Sequence, residues 1–312
     1  MSDFEALADW PIEPRTRVMG ILNRTPDSFF DGGTYLATHA ACERVDEFVR
    51  SGADVIDLGA ESTQPGAQPI SAADQLERLG GVIEYALKSG VIVSIDTTSP
   101  EVAEHALRLG ARMINSVSLD PAEALGRLAA HYGAELVLTH CRGSMTSMRG
   151  FSEYAATGYN DVVEEVTREW QQAAKYALAA GVPPERLWFD PGLGFTKNAA
   201  QSLELAVRLA ECKQRLGHPI LVGASRKSFV AAVVANGTEL SGPANRLGGS
   251  LAAALDCAAR GADMVRVHDV AETVQALAYR RAATGLAHQF AAQGRRASGR
   301  SQGGLGEQCS TD

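Results

Sequence analysis

The chain has 312 residues, 45% of them apolar and 21% charged, with a formal net charge of -8. That length suits one large barrel or two ordinary domains, and the acidic balance argues against nucleic-acid binding, which normally needs a basic face. No apolar run approaches the roughly 20 residues of a membrane span, the N-terminal MSDFEALADWPIEP lacks the apolar core of a signal peptide, and five cysteines without a CxxC pair read as reduced thiols of a cytoplasmic protein.

Residues 1–15 read as a leader. From residue 16 one pattern repeats: a short apolar run, a polar or glycine-rich cluster, then a helix-like stretch. The first run, Val18–Leu22, stops at Asn23 and is followed by Arg24–Gly33 and a helix over Thr38–Ser51, with Gly52 where it should stop. The second, Asp54–Leu58, leads past Glu61 and the segment Ala60–Pro69 into a helix over Ala73–Lys88. The third, Val91–Ile95, meets Asp96; Ser99 then caps a helix over Pro100–Leu109 with proline at its first position. The fourth, Arg112–Ile114, meets Asn115, and the fifth, Leu136–Thr139, meets His140 before Cys141–Thr157 and a helix over Asn160–Ala180. The sixth, Leu187–Phe189, runs into DPGLGF (Asp190–Phe195), the seventh, Pro219–Val222, into GASRKSF (Gly223–Phe229), and the eighth, Met264–Val267, into His268.

Eight such units predict a single-domain α/β fold, a (β/α)₈ TIM barrel over 16–286, whose strand ends converge on one catalytic face. Three segments, Arg24–Gly33, Ala60–Pro69 and Cys141–Thr157, are longer than minimal connections and are candidate loops over that face. After residue 286 the composition turns to Gly, Ser, Gln and Arg, and 287–312 is expected to be a disordered tail.

The chemistry-bearing residues sit where the runs end. Asp96 and Asp190 can each accept paired hydrogen bonds from a guanidine-like ligand edge or steady a developing cation; as residues after strands, they can equally cap helices. Asn23 and Asn115 can donate and accept together, which suits a heterocycle edge or a metal-bound water, or simple turn chemistry. Ser225, Arg226 and Lys227 supply donors at a helix start, and Arg266 and His268 alternate on the eighth strand and so share a face. Loops after the last two strands are the usual phosphate site of such barrels. His140 reads as a satisfied core histidine, and Cys42, Cys212 and Cys257 as packed residues. No His/Cys spacing fits zinc.

Taken in order, MGILNRTPDSFFDGG (Met19–Gly33), DVIDLGAESTQPGA (Asp54–Ala67), SIDT (Ser94–Thr97), FDPGLGFTKN (Phe189–Asn198), GASRKSF and RVHDV resemble the dihydropteroate synthase family. The resemblance spans nearly all of 16–286. It implies an enzyme of folate biosynthesis, a transferase that joins 6-hydroxymethyl-7,8-dihydropterin diphosphate to 4-aminobenzoate and releases diphosphate. It implies that Asp96, Asn115, Asp190 and Lys227 hold the pterin, and that Asn23, Arg266 and His268 hold the diphosphate, with Mg²⁺ at Asn23. Thr63, Pro65, Phe195 and Ser228 would border the aminobenzoate. Asp96, Lys227, Arg266 and His268 would carry catalysis, without a covalent enzyme nucleophile, in a homodimer.

Three positions depart from the family pattern: Gln64 stands for a usual arginine, Ser116 for a usual aspartate, and Arg24 for a usual small apolar residue. They lie around the second-substrate loops and suggest a sulfonamide-insensitive, resistance-associated variant. Two rival readings are a pterin-binding paralogue without turnover and a pterin-dependent methyltransferase.

Overall fold

The computed structural model describes residues 15–24, 33–61, 69–143, 158–235 and 242–301. Within them the order is β1 (Arg17–Asn23), α1 (Gly33–Arg50), β2 (Val55–Gly59), α2 (Ala72–Leu79), α3 (Val82–Lys88), β3 (Ile92–Asp96), α4 (Pro100–Leu109), β4 (Met113–Ser116), α5 (Ala122–Tyr132), β5 (Glu135–Thr139), α6 (Val162–Ala179), β6 (Leu187–Asp190), α7 (Ala199–Val207), α8 (Leu209–Leu216), β7 (Leu221–Val222), α9 (Ser228–Ala235), α10 (Leu247–Ala259), β8 (Met264–Val267) and α11 (Val270–Ser301). All eight expected runs are strands.

The strands form one parallel sheet in the order β6-β5-β4-β3-β2-β1-β8-β7. A parallel bridge between Phe189 and Ile220 joins the two end strands, and Phe189 N–H donates to Pro219 O at 2.9 Å. The sheet is thereby closed into a (β/α)₈ barrel. One side chain from each strand fills its lower interior: Met19, Val55, Met113, Val137, Trp188, Leu221 and Met264, with Ile92 packed against them. Such layers are what make this barrel a packed core rather than a pore. Burying one large aliphatic side chain contributes about 1.5–3 kcal/mol, so this layer anchors the strand register on which the upper face depends.

Local chemistry sets the helix starts. Ser99 Oγ accepts from Val102 N–H, with Pro100 beginning α4. Asp161 accepts from Val163 and Glu164 N–H at the head of α6, and Asn198 and Gln201 make a reciprocal capping box at α7. The single helix expected over Ala73–Lys88 is two, because the Gly80-Gly81 step between α2 and α3 ends the first helix. The close fit of α1 on β1 depends on Gly20, where a Cβ would lie 2.7 Å from the Phe48 ring.

Two boundary expectations differ from the structure. The chain divides into two compact units, and the one holding all eight strands is Thr16–Val274 rather than 16–286; the second contains the rest of α11 from Gln275 on. The tail expected to be disordered from 287 is helical through Ser301. The segment is rich in Ala, Arg and Gln, all good helix formers, and its few glycines cost only about 1 kcal/mol each. The remainder of that tail, the leader up to residue 14, and most of the three long connections lie outside the described residues. Among the described residues no helix is long and apolar enough to cross a membrane.

Candidate active site

Side chains alternate along a strand, so the positions two and four residues beyond the apolar layer also face the barrel interior, nearer its C-terminal mouth. There the chemistry changes. Asn23, Gly59, Asp96 and Asn115 are paired side by side across β1 to β4. Gly59 leaves a gap in that row: a Cβ there would lie 3.2 Å from both Asn23 Oδ1 and Asp96 Cβ.

Asp57 is the centre of a buried charge cluster. Arg266 donates from Nε to Asp57 Oδ2 at 2.7 Å and from Nη2 to Asp96 Oδ2 at 2.6 Å. Asn115 Nδ2 donates to the same Asp57 oxygen at 2.9 Å. Asp57 is fully buried, and Asp96 is 8% exposed. Two carboxylates thus share one guanidinium. Burial raises the Asp96 pKa to about 7, against the pull of Arg266 and with a further push from Asp57. Burial acts to lower the Arg266 pKa, but Asp57 and Asp96 outweigh it and hold the guanidinium charged. Asp57 Oδ1 and Asn115 Oδ1 are buried without a partner among the described residues. Buried acceptors without partners are uncommon, and here they point into the cluster that a donor-rich ring edge would complete.

The opposite wall is the turn after β6. Asp190 is 6% exposed, and its Oδ1 accepts from Gly192 N–H at 2.8 Å. Burial raises its pKa, opposed by that hydrogen bond and by Lys227. The turn needs glycine: Gly192 has φ 65°, and a Cβ there would lie 2.0 Å from His140 O. Lys227, half-buried at the end of the segment after β7, donates to Leu193 O at 2.6 Å and sits 3.5 Å from the centroid of the Phe195 ring. Burial pushes its pKa down to about 7, with Asp190 acting the other way.

The third wall joins β7 and β8. Ser225 Oγ accepts from His268 N–H at 3.2 Å and lies within hydrogen-bond distance, 3.0 Å, of His268 Nδ1. The contact holds the plane of the ring, and when the hydroxyl donates to Nδ1 the ring proton sits on Nε2. Burial and the neighbouring Arg266 lower the His268 pKa to about 4, so the ring is neutral at pH 7.

Asn23, Asp96, Asn115, Asp190, Lys227, Arg266 and His268 are all brought to the C-terminal end of the barrel; the Phe195 ring lies against Lys227, and Ser228 follows it in the chain at the start of α9. Thr63 and Pro65 lie outside the described residues, as does Gln64. Two placements differ in kind from the sequence reading. Arg266 is engaged by Asp57 and Asp96 rather than open to an anion alone. Arg226, grouped with Ser225 and Lys227 as an anion donor, turns aside at φ 59° and pairs with Asp269 at 2.5 Å. Asp57 escaped the sequence reading. Its signal was a lone carboxylate in mid-strand at an inward position, which a buried sheet tolerates only with a partner. His140 is fully buried and hydrogen-bonded, as expected.

A parallel barrel with paired carboxylates, amides and cations gathered at its mouth defines an enzyme site for a flat, hydrogen-bonding ring with an anionic group. Residues 19–268 match the family of pterin binding enzymes. The chain is 40% identical over 275 residues to the dihydropteroate synthase of Synechocystis sp., covering 87% of this chain and 90% of that one. It is 41% identical over 262 residues to the dihydropteroate synthase of Escherichia coli, covering 83% and 89%. Among solved structures, it resembles the Xanthomonas albilineans dihydropteroate synthase with 4-aminobenzoic acid at a TM-score of 0.77 and 39% identity, covering 86% of this chain and 93% of that one. It also resembles the Thermus thermophilus dihydropteroate synthase in complex with 6HMPPP, at 0.70 and 40%, covering 86% and 94%. The chain belongs to the pterin-binding enzymes and, within them, to the dihydropteroate synthase family.

Proposed function

We propose that the chain condenses 6-hydroxymethyl-7,8-dihydropterin diphosphate with 4-aminobenzoate to give 7,8-dihydropteroate and diphosphate. The observation that carries this is the buried cluster of Asp57, Asp96, Asn115 and Arg266 facing Asp190 and Lys227, in a chain about 40% identical to dihydropteroate synthases over most of its length. The paired donors of the pterin amino edge match the Asp190 carboxylate, and the remaining ring heteroatoms match Asn115, whose Oδ1 is buried without a partner. Lys227 can donate to a ring carbonyl while Phe195 screens its charge.

In the reaction the bond between the pterin methylene carbon and the diphosphate oxygen breaks, and its electron pair leaves with the diphosphate. The methylene cation is delocalised over the ring and faces Asp96, whose ionised form would stabilise it. The aniline nitrogen of aminobenzoate then attacks that carbon and releases a proton. Neutral His268, its ring held by Ser225, donates from Nε2 to the leaving group in the tautomer whose Nδ1 accepts the Ser225 hydroxyl. Arg266 supplies charge at the same end, its grip on Asp96 loosening or tightening with the Asp96 proton. No covalent enzyme intermediate is needed.

Mg²⁺ fits only as an ion carried mainly by substrate. Among the described residues no group of three His, Cys, Asp or Glu could hold a metal. Asn23 offers one neutral oxygen beside the gap at Gly59, which suits an ion that keeps several waters and binds phosphate oxygens. Bound there, it would neutralise charge on the departing diphosphate. Two further properties are proposed with it. A homodimer is supported by the apolar Leu203 and Val207 exposed on α7, and sedimentation velocity tests it. Sulfonamide insensitivity is supported by the substitutions at positions 24, 64 and 116. Of these, Ser116 Oγ closes on Ser118 O at 2.8 Å, and Arg24 is 7% exposed and bonded to Thr38.

The deciding experiment is diphosphate release by the purified protein with the pterin diphosphate and Mg²⁺, with and without 4-aminobenzoate. Release that requires aminobenzoate is expected. Tight pterin binding without release would favour the paralogue that has lost turnover.

A further inference from the structure

Lys197 lies outside every role assigned above. It is fully buried, with 0% exposure. Its Nζ is 3.0 Å from His140 Nδ1, 3.2 Å from His140 O, 3.2 Å from Gly192 O and 3.0 Å from Phe195 O. Four acceptors converge on one amine. Burial pushes its pKa down to about 7, and three carbonyls, which can only accept, favour the ammonium form. An ammonium without such partners would not stay inside a barrel. The partners come from two places: His140 ends the strand run of β5, while Gly192 and Phe195 belong to the turn after β6.

Within the turn Phe195 N–H donates to Gly192 O at 3.0 Å, but the backbone around that bond is strained. Gly192, Gly194 and Thr196 alternate at φ 65°, 77° and 49°. A β-branched residue in that region is an outlier that persists only when its surroundings hold it. Alternating handedness swings the carbonyls of Gly192 and Phe195 to one side, where their dipoles repel unless a cation gathers them. Lys197 is that cation. From the outer side, Thr196 Oγ1 accepts from Arg142 N–H at 3.0 Å. His140 is kept neutral, its pKa lowered to about 4 by burial and then by Lys197, and its Nε2 donates to Glu169 at 2.9 Å. Arg142 bonds Glu169 in turn, at 3.0 Å from Nε. A hydrogen-bonded chain therefore runs from the half-buried α6 carboxylate inward to the turn.

What the turn carries is the pterin wall. Leu193 O receives Lys227 Nζ, the Phe195 ring faces the same ammonium, and Gly192 N–H holds Asp190. We propose that Lys197 is a positioning residue for the pterin half of the reaction: its ammonium clamps the carbonyls of His140, Gly192 and Phe195, and so aims Asp190, Phe195 and Lys227 without touching substrate. This rests on the assignment of Asp190 and Lys227 to the pterin.

The test is Lys197→Met, which keeps the length of the side chain and removes the charge, assayed beside wild type and Asp190→Asn. A misaimed site costs up to about 100-fold in rate when shifted by about an ångström. The expected result is a folded variant by circular dichroism, with KM for the pterin diphosphate raised and kcat lowered, each by roughly 10-fold, and KM for aminobenzoate within about 2-fold of wild type. A merely structural lysine would lower the melting temperature and leave these constants unchanged well below it, which would overturn the proposal. If Asp190→Asn also binds pterin normally, the site assignment fails instead. Should Lys197→Met not fold, NMR of the wild-type chain labelled with ¹⁵N-lysine decides: the slowly exchanging Lys197 ammonium resonance shifts on adding the pterin diphosphate if the clamp tracks the site, and stays in place if it does not.

Discussion

The lower and upper halves of the barrel interior are built on the same strands, two residues apart. Val55 and Asp57, Met113 and Asn115, Trp188 and Asp190, Met264 and Arg266 are successive inward positions. In the lower layer eight large side chains fill space with a single polar group among them, the Trp188 indole N–H, which is buried without a partner among the described residues, and their contribution is stability. In the upper layer the carboxylates are buried and only partly compensated: one guanidinium serves both Asp57 and Asp96, and one oxygen each of Asp57 and Asn115 has no partner among the described residues. The same backbone therefore supports a region optimised for the folded state and a region held short of its own optimum for a ligand's sake.

The sharpest way to break that comparison is Arg266→Met. It would strand Asp57 and Asp96 without a counter-charge, a loss of about 3–5 kcal/mol for a broken buried pair. Diphosphate release should fall by roughly 10³-fold or more. Denaturant unfolding and steady-state kinetics together check it, and a variant that keeps activity would remove Arg266 from the site.

The lower layer offers the contrast. Met113→Ala should cost about 2–5 kcal/mol of stability, yet leave kcat within about 2-fold at temperatures where it is folded. If its kcat fell as far as that of the Arg266 variant, the two layers would not be separable in function.

A pH series sharpens the upper layer alone. The Asp96 pKa is about 7 in the folded chain against an ordinary value of 3.8. Between those values the folded state holds a proton that the unfolded state has lost, so the contribution of Asp96 to stability is full below about pH 4 and declines as pH rises to about 7. Compared with Asp96→Asn, which cannot titrate, wild type should therefore lose stability over that window and run parallel above it. Lys227 works in a separate window: its folded pKa of about 7 lies below the ordinary 10.5, so its penalty is relieved as pH rises from about 7 towards 10.5. Chemical denaturation at stepped pH measures both.

The smallest effect expected is at Ser225. Ser225→Ala removes the hydroxyl that bonds the His268 ring, costing about 1 kcal/mol of stability and roughly 3- to 10-fold in kcat/KM for the pterin diphosphate. A loss larger than that of Arg266→Met would reverse the ranking of the two walls.

Much of this was legible beforehand because it is local. Parallel strands buried on both faces must be short, apolar and repeated. The first polar residue after each must reach the mouth of the barrel, so Asp96, Asn115, Asp190 and His268 could be placed from their spacing. Ser99 with Pro100 announced a helix start that the structure contains. Composition misled at 287–301, where polarity was taken for disorder although alanine, glutamine and arginine sustain a helix.

What the sequence determined by itself was periodicity: which eight runs are strands, and which residues end them. What only tertiary structure decided was partnership. Asp57 is one carboxylate in an apolar strand until the closed barrel brings Arg266, 209 positions away, to 2.7 Å. Lys197 is one more basic residue after a glycine turn until His140, from 57 positions upstream, closes on its ammonium. Strand period is a property of neighbours along the chain, whereas the energy of a buried charge depends on what else is buried beside it, and that is known only when the barrel is closed.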